Sequence, residues 1–163
     1  MRPSSEGRIE IVTAEEQAGA LRALAGEARQ LVRILSDELA PVPFDDEDLA
    51  RELSRLARQG PPCEVRILIK DSRLLRQRGH RLAELHRRLV SAVPLRRLDY
   101  CPEQYIANYM LVDDTGLFFI PNEDGKTCFW NASDRAFVKF LTTQFDELWH
   151  RSDADPELRF MPM

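Results

Sequence analysis

At 163 residues the chain has the length of one domain and can bury about two thirds of its unfolded surface. Its 44% hydrophobic and 31% charged residues describe an ordinary globular protein, and no apolar run approaches the ~18 residues of a membrane span. Three scattered cysteines, Cys63, Cys101 and Cys128, with no C-x-x-C pair, argue against a disulfide framework or a zinc site. With no apolar h-region in MRPSSEGR, they set the expectation of a cytoplasmic protein.

The first seven residues read as a loose tail, and the domain as residues 8–152. Arg8–Val12 alternates like a short edge strand. Thr13-x-x-Glu16 is a capping-box pattern, after which Leu21, Leu24, Ala25 and Ala28 recur at helical spacing. LVRIL (31–35) is a nearly continuous apolar run, the signature of a strand covered on both faces. Pro41 and Pro43 make the loop that follows. Asp45–Asp48 then places acid at the start of a helix with Leu49, Leu53, Leu56 and Ala57 along one stripe. Gly60-Pro61-Pro62 stops that helix, and VRILI (65–69) is a second buried strand. Residues 80–92 form a helix with Leu82, Leu85 and Leu89 inward, ended by Pro94 before a short strand at Leu95–Leu98. Two β-rich runs, Asn108–Val112 and Leu117–Ile120, flank the turn Asp113-Asp114-Thr115-Gly116. A further strand at Thr127–Asn131 leads to a helix capped by Ser133 or Asp134. Its apolar face is Phe137, Phe140, Leu141, Phe145 and Leu148, and residues 153–163 read as an irregular tail. Strands alternating with helices imply an α/β fold: a mixed, mainly parallel sheet with helices on both faces and a C-terminal helix.

From Leu31 to Trp149 this order is similar to one half of a phospholipase-D-like protein. VRILIKDS (65–72), RGHRLAELHRRLVS (78–91), MLVDDTG (110–116), FDELWHRS (145–152) and DPELR (155–159) resemble, more narrowly, an uncharacterised proteobacterial family of that fold. Such domains occur alone or behind an acetyltransferase domain. The resemblance implies a homodimer or an acetyltransferase partner, since superfamily members pair two halves so that two histidines meet. It also locates the H-x-K-x-x-x-x-D run in YIANYMLVD (105–113). Asp113 takes the final place, but Ile106 and Asn108 stand where histidine and lysine belong. Isoleucine cannot attack phosphorus and asparagine brings no charge, so the inherited chemistry is absent and no catalytic residue is assigned.

Charge points to a different cluster. Residues 64–100 carry 10 basic and 4 acidic side chains inside a chain of net charge −4. Asp71 ends a strand, and Arg78, His80 and Arg81 stand at the start of the next helix, where strand ends and helix N-termini favour anions. These four form the candidate site for a small anionic ligand, with Asp71 orienting His80. The same residues could be structural caps. His86 and His150 read as structural, and no spacing fits a metal or a cofactor. The leading expectation is a non-catalytic binding or interaction module. Second is an enzyme on phosphate-bearing substrates using His80. Nucleic-acid binding through residues 64–100 is the weakest reading, because Phe118, Phe119, Phe129 and Trp130 have the alternation of sheet packing and an acidic neighbourhood.

Overall fold

The computed structural model describes residues 1–37, 41–71, 79–98, 108–121 and 127–154. Arg78, Ile106 and the tail from residue 155 onward lie outside them. In chain order the elements are β1 (Ile9–Ile11), α1 (Ala14–Gly26), β2 (Leu31–Ser36), α2 (Pro41–Phe44), α3 (Glu47–Ala57), β3 (Glu64–Ile69) and α4 (Arg81–Arg88). There follow β4 (Leu95–Arg97), β5 (Asn108–Val112), β6 (Gly116–Ile120), β7 (Cys128–Asn131), α5 (Arg135–Arg151) and β8 (Asp153–Ala154). One mixed sheet holds the strands in the order β1-β7-β6-β5-β2-β3-β4-β8.

Helices cover both faces. α1 to α4 lie on one, over Val32, Ile34, Val65, Ile67, Ile69, Met110 and Phe118. α5 lies on the other, packing Phe137, Leu141, Phe145 and Leu148 on Leu35, Leu68, Tyr109, Leu111 and Leu117. This explains why LVRIL and VRILI are apolar almost throughout yet each contain one arginine. The side chains of a strand alternate between faces, and Arg33 and Arg66, paired in register, point toward α5. There Asp146 takes Arg33 at 3.1 Å, and Arg66 lies 5.8 Å above the Trp149 ring.

The balance of the sheet differs from the expectation of mainly parallel pairing. Among the described residues only β2–β3 and β3–β4 are parallel; β1–β7, β7–β6, β6–β5, β5–β2 and β4–β8 are antiparallel. The local pattern reveals each crossover but not where the next strand docks. β5 does not extend the parallel row; it returns to the free side of β2, and the hairpins build outward from it. The β5–β6 hairpin requires glycine at position 116, where a Cβ would stand 2.9 Å from Val112 Cβ and 3.3 Å from Leu24 Cδ2.

Both ends of the domain are also more ordered than their composition implies. Ser4 N donates to Asp134 Oδ2 at 2.8 Å and Asn131 Nδ2 to Glu6 O at 2.8 Å, so the first residues are tied to β7 and α5. Asp153–Ala154 pairs with Arg97 and Arg96, extending the sheet past residue 152. The aromatic strand residues pack on both faces. Phe118 meets Phe44 edge-on at 6.2 Å, while Phe119 faces Phe137 beneath α5.

Candidate functional site

β2 is where the sheet changes from parallel to antiparallel, and its carboxyl end is where an open α/β sheet offers a crevice. The backbone there is held by three hydrogen bonds that meet at Asp37. Asn108, first residue of β5, accepts a hydrogen bond at Oδ1 from Asp37 N at 2.9 Å. Asp37 O in turn accepts from Lys70 N at 3.1 Å and Asp71 N at 2.9 Å, joining the ends of β2 and β3. Lys70 Nζ closes the corner with a 2.6 Å ion pair to Asp37 Oδ1. Asn108 therefore latches the end of β2, and Asp71 is fixed through its own N–H.

Asp113 lies at the opposite end of the strand. Five residue steps of extended chain lead to it from Asn108, roughly 17 Å at the rise of a strand. Its φ of 52° turns the chain into the hairpin. Its carboxylate accepts backbone N–H bonds from Arg29 at 2.9 Å, Gln30 at 3.0 Å and Leu31 at 3.0 Å. Asp113 N donates to Leu31 O at 2.8 Å. Both oxygens are engaged in pinning the α1–β2 connection to the hairpin, although Asp113 borders a cleft of about 720 Å³ shared with Arg29, Arg55 and Thr115.

His80 and Arg81 come together at the N-terminus of α4. His80 is the helix cap: Nδ1 accepts from Leu82 N at 3.0 Å, which leaves the ring proton on Nε2. The side chain is buried, and Nε2 has no hydrogen-bond partner among the described residues. Burial pushes the imidazole from 6.5 down to about 4; Asp45 opposes that fall and Arg81 adds to it. At neutral pH His80 is uncharged. Arg81 is engaged by Asp45, whose Oδ1 receives Arg81 N at 3.1 Å and Nη1 at 3.2 Å. Asp45 is the participant that sequence reasoning missed, because its acidic run already had an explanation as a helix start.

Two further titratable side chains, His86 and Cys128, are buried. His86 is buried within α4, and its Nδ1–H donates to Val93 O at 2.6 Å. Burial pushes the Cys128 thiol up to about 11, far from a reactive thiolate. Among the described residues no cluster of His, Cys, Asp and Glu could hold a metal, and no helix is long and apolar enough to cross a membrane.

Solved structures with this architecture define its class. NucT from Helicobacter pylori superposes with a TM-score of 0.67 at 16% identity, covering 91% of this chain and 98% of that one. Nuc from Salmonella typhimurium, a phospholipase D family member, gives 0.57 at 14% identity over 83% and 88% of the two chains. TrmBL2, an archaeal chromatin protein with a novel mode of DNA binding, gives 0.66 at 16% identity over 94% of this chain. This chain spans 56% of TrmBL2's length. The fold is phospholipase-D-like. The chain belongs to the family described as domain of unknown function DUF7931, whose model matches residues 13–161. No curated protein matches it significantly.

Proposed function

We propose that this protein is a non-catalytic phospholipase-D-like module that acts by binding. The observation that carries this reading is Asn108: the position where the superfamily's lysine would contact phosphate oxygens has an uncharged amide whose oxygen accepts from Asp37 N. Ile106, at the histidine position, has no nucleophilic atom. The three backbone bonds to Asp113 support a purely structural role for the remaining motif acid. His80 is a poor substitute base, because a buried imidazole held near pH 4 is mismatched to proton transfer at neutral pH. The resemblance to proteins found alone or behind acetyltransferase domains supports a second copy of this chain or an acetyltransferase as partner.

The test is hydrolysis of bis(p-nitrophenyl) phosphate and of labelled DNA by purified protein. The expected result is no turnover above background. Turnover that disappears in His80→Asn, with the fold retained by circular dichroism, would replace this reading with an enzyme built on His80.

A further inference from the structure

α3 and α4 lie side by side over the sheet, and a groove of about 630 Å³ runs between them. Its lining is dominated by guanidinium groups. Arg51, Arg55 and Arg58 come from α3 and its C-cap, and Arg81 and Arg88 from α4, against the two carboxylates Glu47 and Glu84. Each row follows from helix periodicity. Positions 51, 55 and 58 are spaced four and three apart, and positions 81 and 88 seven apart, so each row spans roughly 10 Å along one helix face.

The five arginines are not equally neutralised. Arg51 pairs with Asp48 at 3.1 Å, Arg55 with Glu52 at 3.0 Å and Arg81 with Asp45 at 3.2 Å. Arg58 and Arg88 have no acidic partner among the described residues, and both are exposed. Each stands at the end of its helix, where the dipole favours a cation. The dipole would be served equally by an arginine on any side of the last turn, however, and here both line one groove beside three more. Uncompensated like charge facing like charge calls for an anion between the rows.

The rest of the lining narrows the kind of anion. Among the described lining residues Ala50 is the only apolar side chain and none is aromatic. A site for a nucleotide or another small organic anion is mostly apolar and buries its ligand, and a site for bases offers rings to stack on. This groove offers neither. It offers spaced guanidinium forks suited to phosphate oxygens.

We infer that the groove between α3 and α4 binds the phosphodiester backbone of nucleic acid, without reading its sequence, with Arg58 and Arg88 as the contacting cations. The inference rests on the reading of the chain as a binding module and names what is bound. The basic block at residues 64–100 supplies only half of this surface. The α3 row comes from the acidic first third of the chain, so a charge count along the sequence conceals it.

Fluorescence anisotropy with a labelled duplex of about 20 base pairs tests the inference on the whole protein. Binding should weaken steeply with salt, each phosphate contact contributing about 0.9 to the log–log slope. In the Arg58→Ala/Arg88→Ala double variant, the affinity lost between roughly 50 and 200 mM salt should shrink by about tenfold, the share of two contacts. Arg58→Lys/Arg88→Lys should retain most of the wild-type slope, because the charge persists. Arg135→Ala/Lys139→Ala, exposed on the α5 side, should bind like wild type. No binding at low salt, an unchanged slope in the alanine variant, or an equal loss in the α5 control would overturn the proposal. So would displacement by pyrophosphate at the concentration of phosphate groups at which unlabelled DNA competes, which would mark a small-anion site. Thermal melts of every variant confirm folding. Hydrolysis of the DNA, were it seen, would refute the non-catalytic reading while leaving the groove assignment standing.

Discussion

Replacing Asp113 separates a structural acid from a catalytic one. Its carboxylate accepts three backbone N–H bonds, from Arg29 and Gln30 at the surface and from the half-buried Leu31. Hydrogen bonds to a charged acceptor contribute roughly 1.5–3 kcal/mol each when shielded, and water replaces the two outer ones at small cost. Asp113→Ala should therefore destabilise by about 2–4 kcal/mol. Part of that comes from a φ of 52°, where alanine is strained by about 1 kcal/mol. Asp113→Asn tolerates the same φ and keeps one acceptor oxygen for Gln30 and Leu31. Its NH2 then faces Arg29 N, donor against donor, so a loss of about 1–2 kcal/mol is expected. At roughly 2–4 °C per kcal/mol for a chain of this size, alanine should lower Tm by roughly 5–15 °C and asparagine by about half of that. Differential scanning calorimetry checks the order wild type, Asn, Ala. An alanine variant that melts within 2 °C of wild type would refute the clamp.

His80 gives a pH signature. Its folded-state pKa lies below its unfolded value, so its contribution to stability is complete above pH 6.5 and is lost as pH falls toward 4. The loss amounts to roughly 3 kcal/mol at most, and urea melts at pH 7 and 5 should show His80→Asn, which keeps a cap, losing less than wild type. Gly116→Ala should cost about 1–3 kcal/mol by urea denaturation, because its methyl group meets the Val112 side chain at 2.9 Å; a neutral result would mean that the hairpin can shift to admit it. Light scattering at micromolar concentration should find a two-fold dimer, and a clean monomer with no partner recovered on purification would count against self-pairing.

The sequence made most of the helices and strands legible, because their signals are local. Thr13 caps α1 by accepting from Glu16 N at 3.1 Å, as the capping-box spacing implies, although the return arm of Glu16 lands on Val12 N. Asp134 is the α5 cap, with Oδ1 accepting from Phe137 N at 3.3 Å. What stayed hidden depended on contacts across the chain. Asn108 reaches Asp37 over 71 positions and Asp113 reaches Arg29 over 84, and neither partner has any local pattern that announces it. α2 was missed for another reason: Pro41 and Pro43 read as a loop, yet proline is tolerated in a first helical turn, and Phe44 is held against Phe118.

The geometry of the strand also shows how Asn108 and Asp113 come to be held by separate parts of the fold. Asn108 falls at the carboxyl end of β2, and Asp113 roughly 17 Å away at its amino end. A side chain at the first end can change without touching the hydrogen bonds that hold the hairpin to the α1–β2 connection. Asn108 even adds a latch there, to Asp37 N. A change at the other end removes three bonds to backbone donors at once. The two ends thus answer to different constraints: Asn108 ties the ends of two strands through one bond, and Asp113 holds the hairpin through three. On the proposed reading, the acid at position 113 serves the fold, and its presence carries no information about turnover.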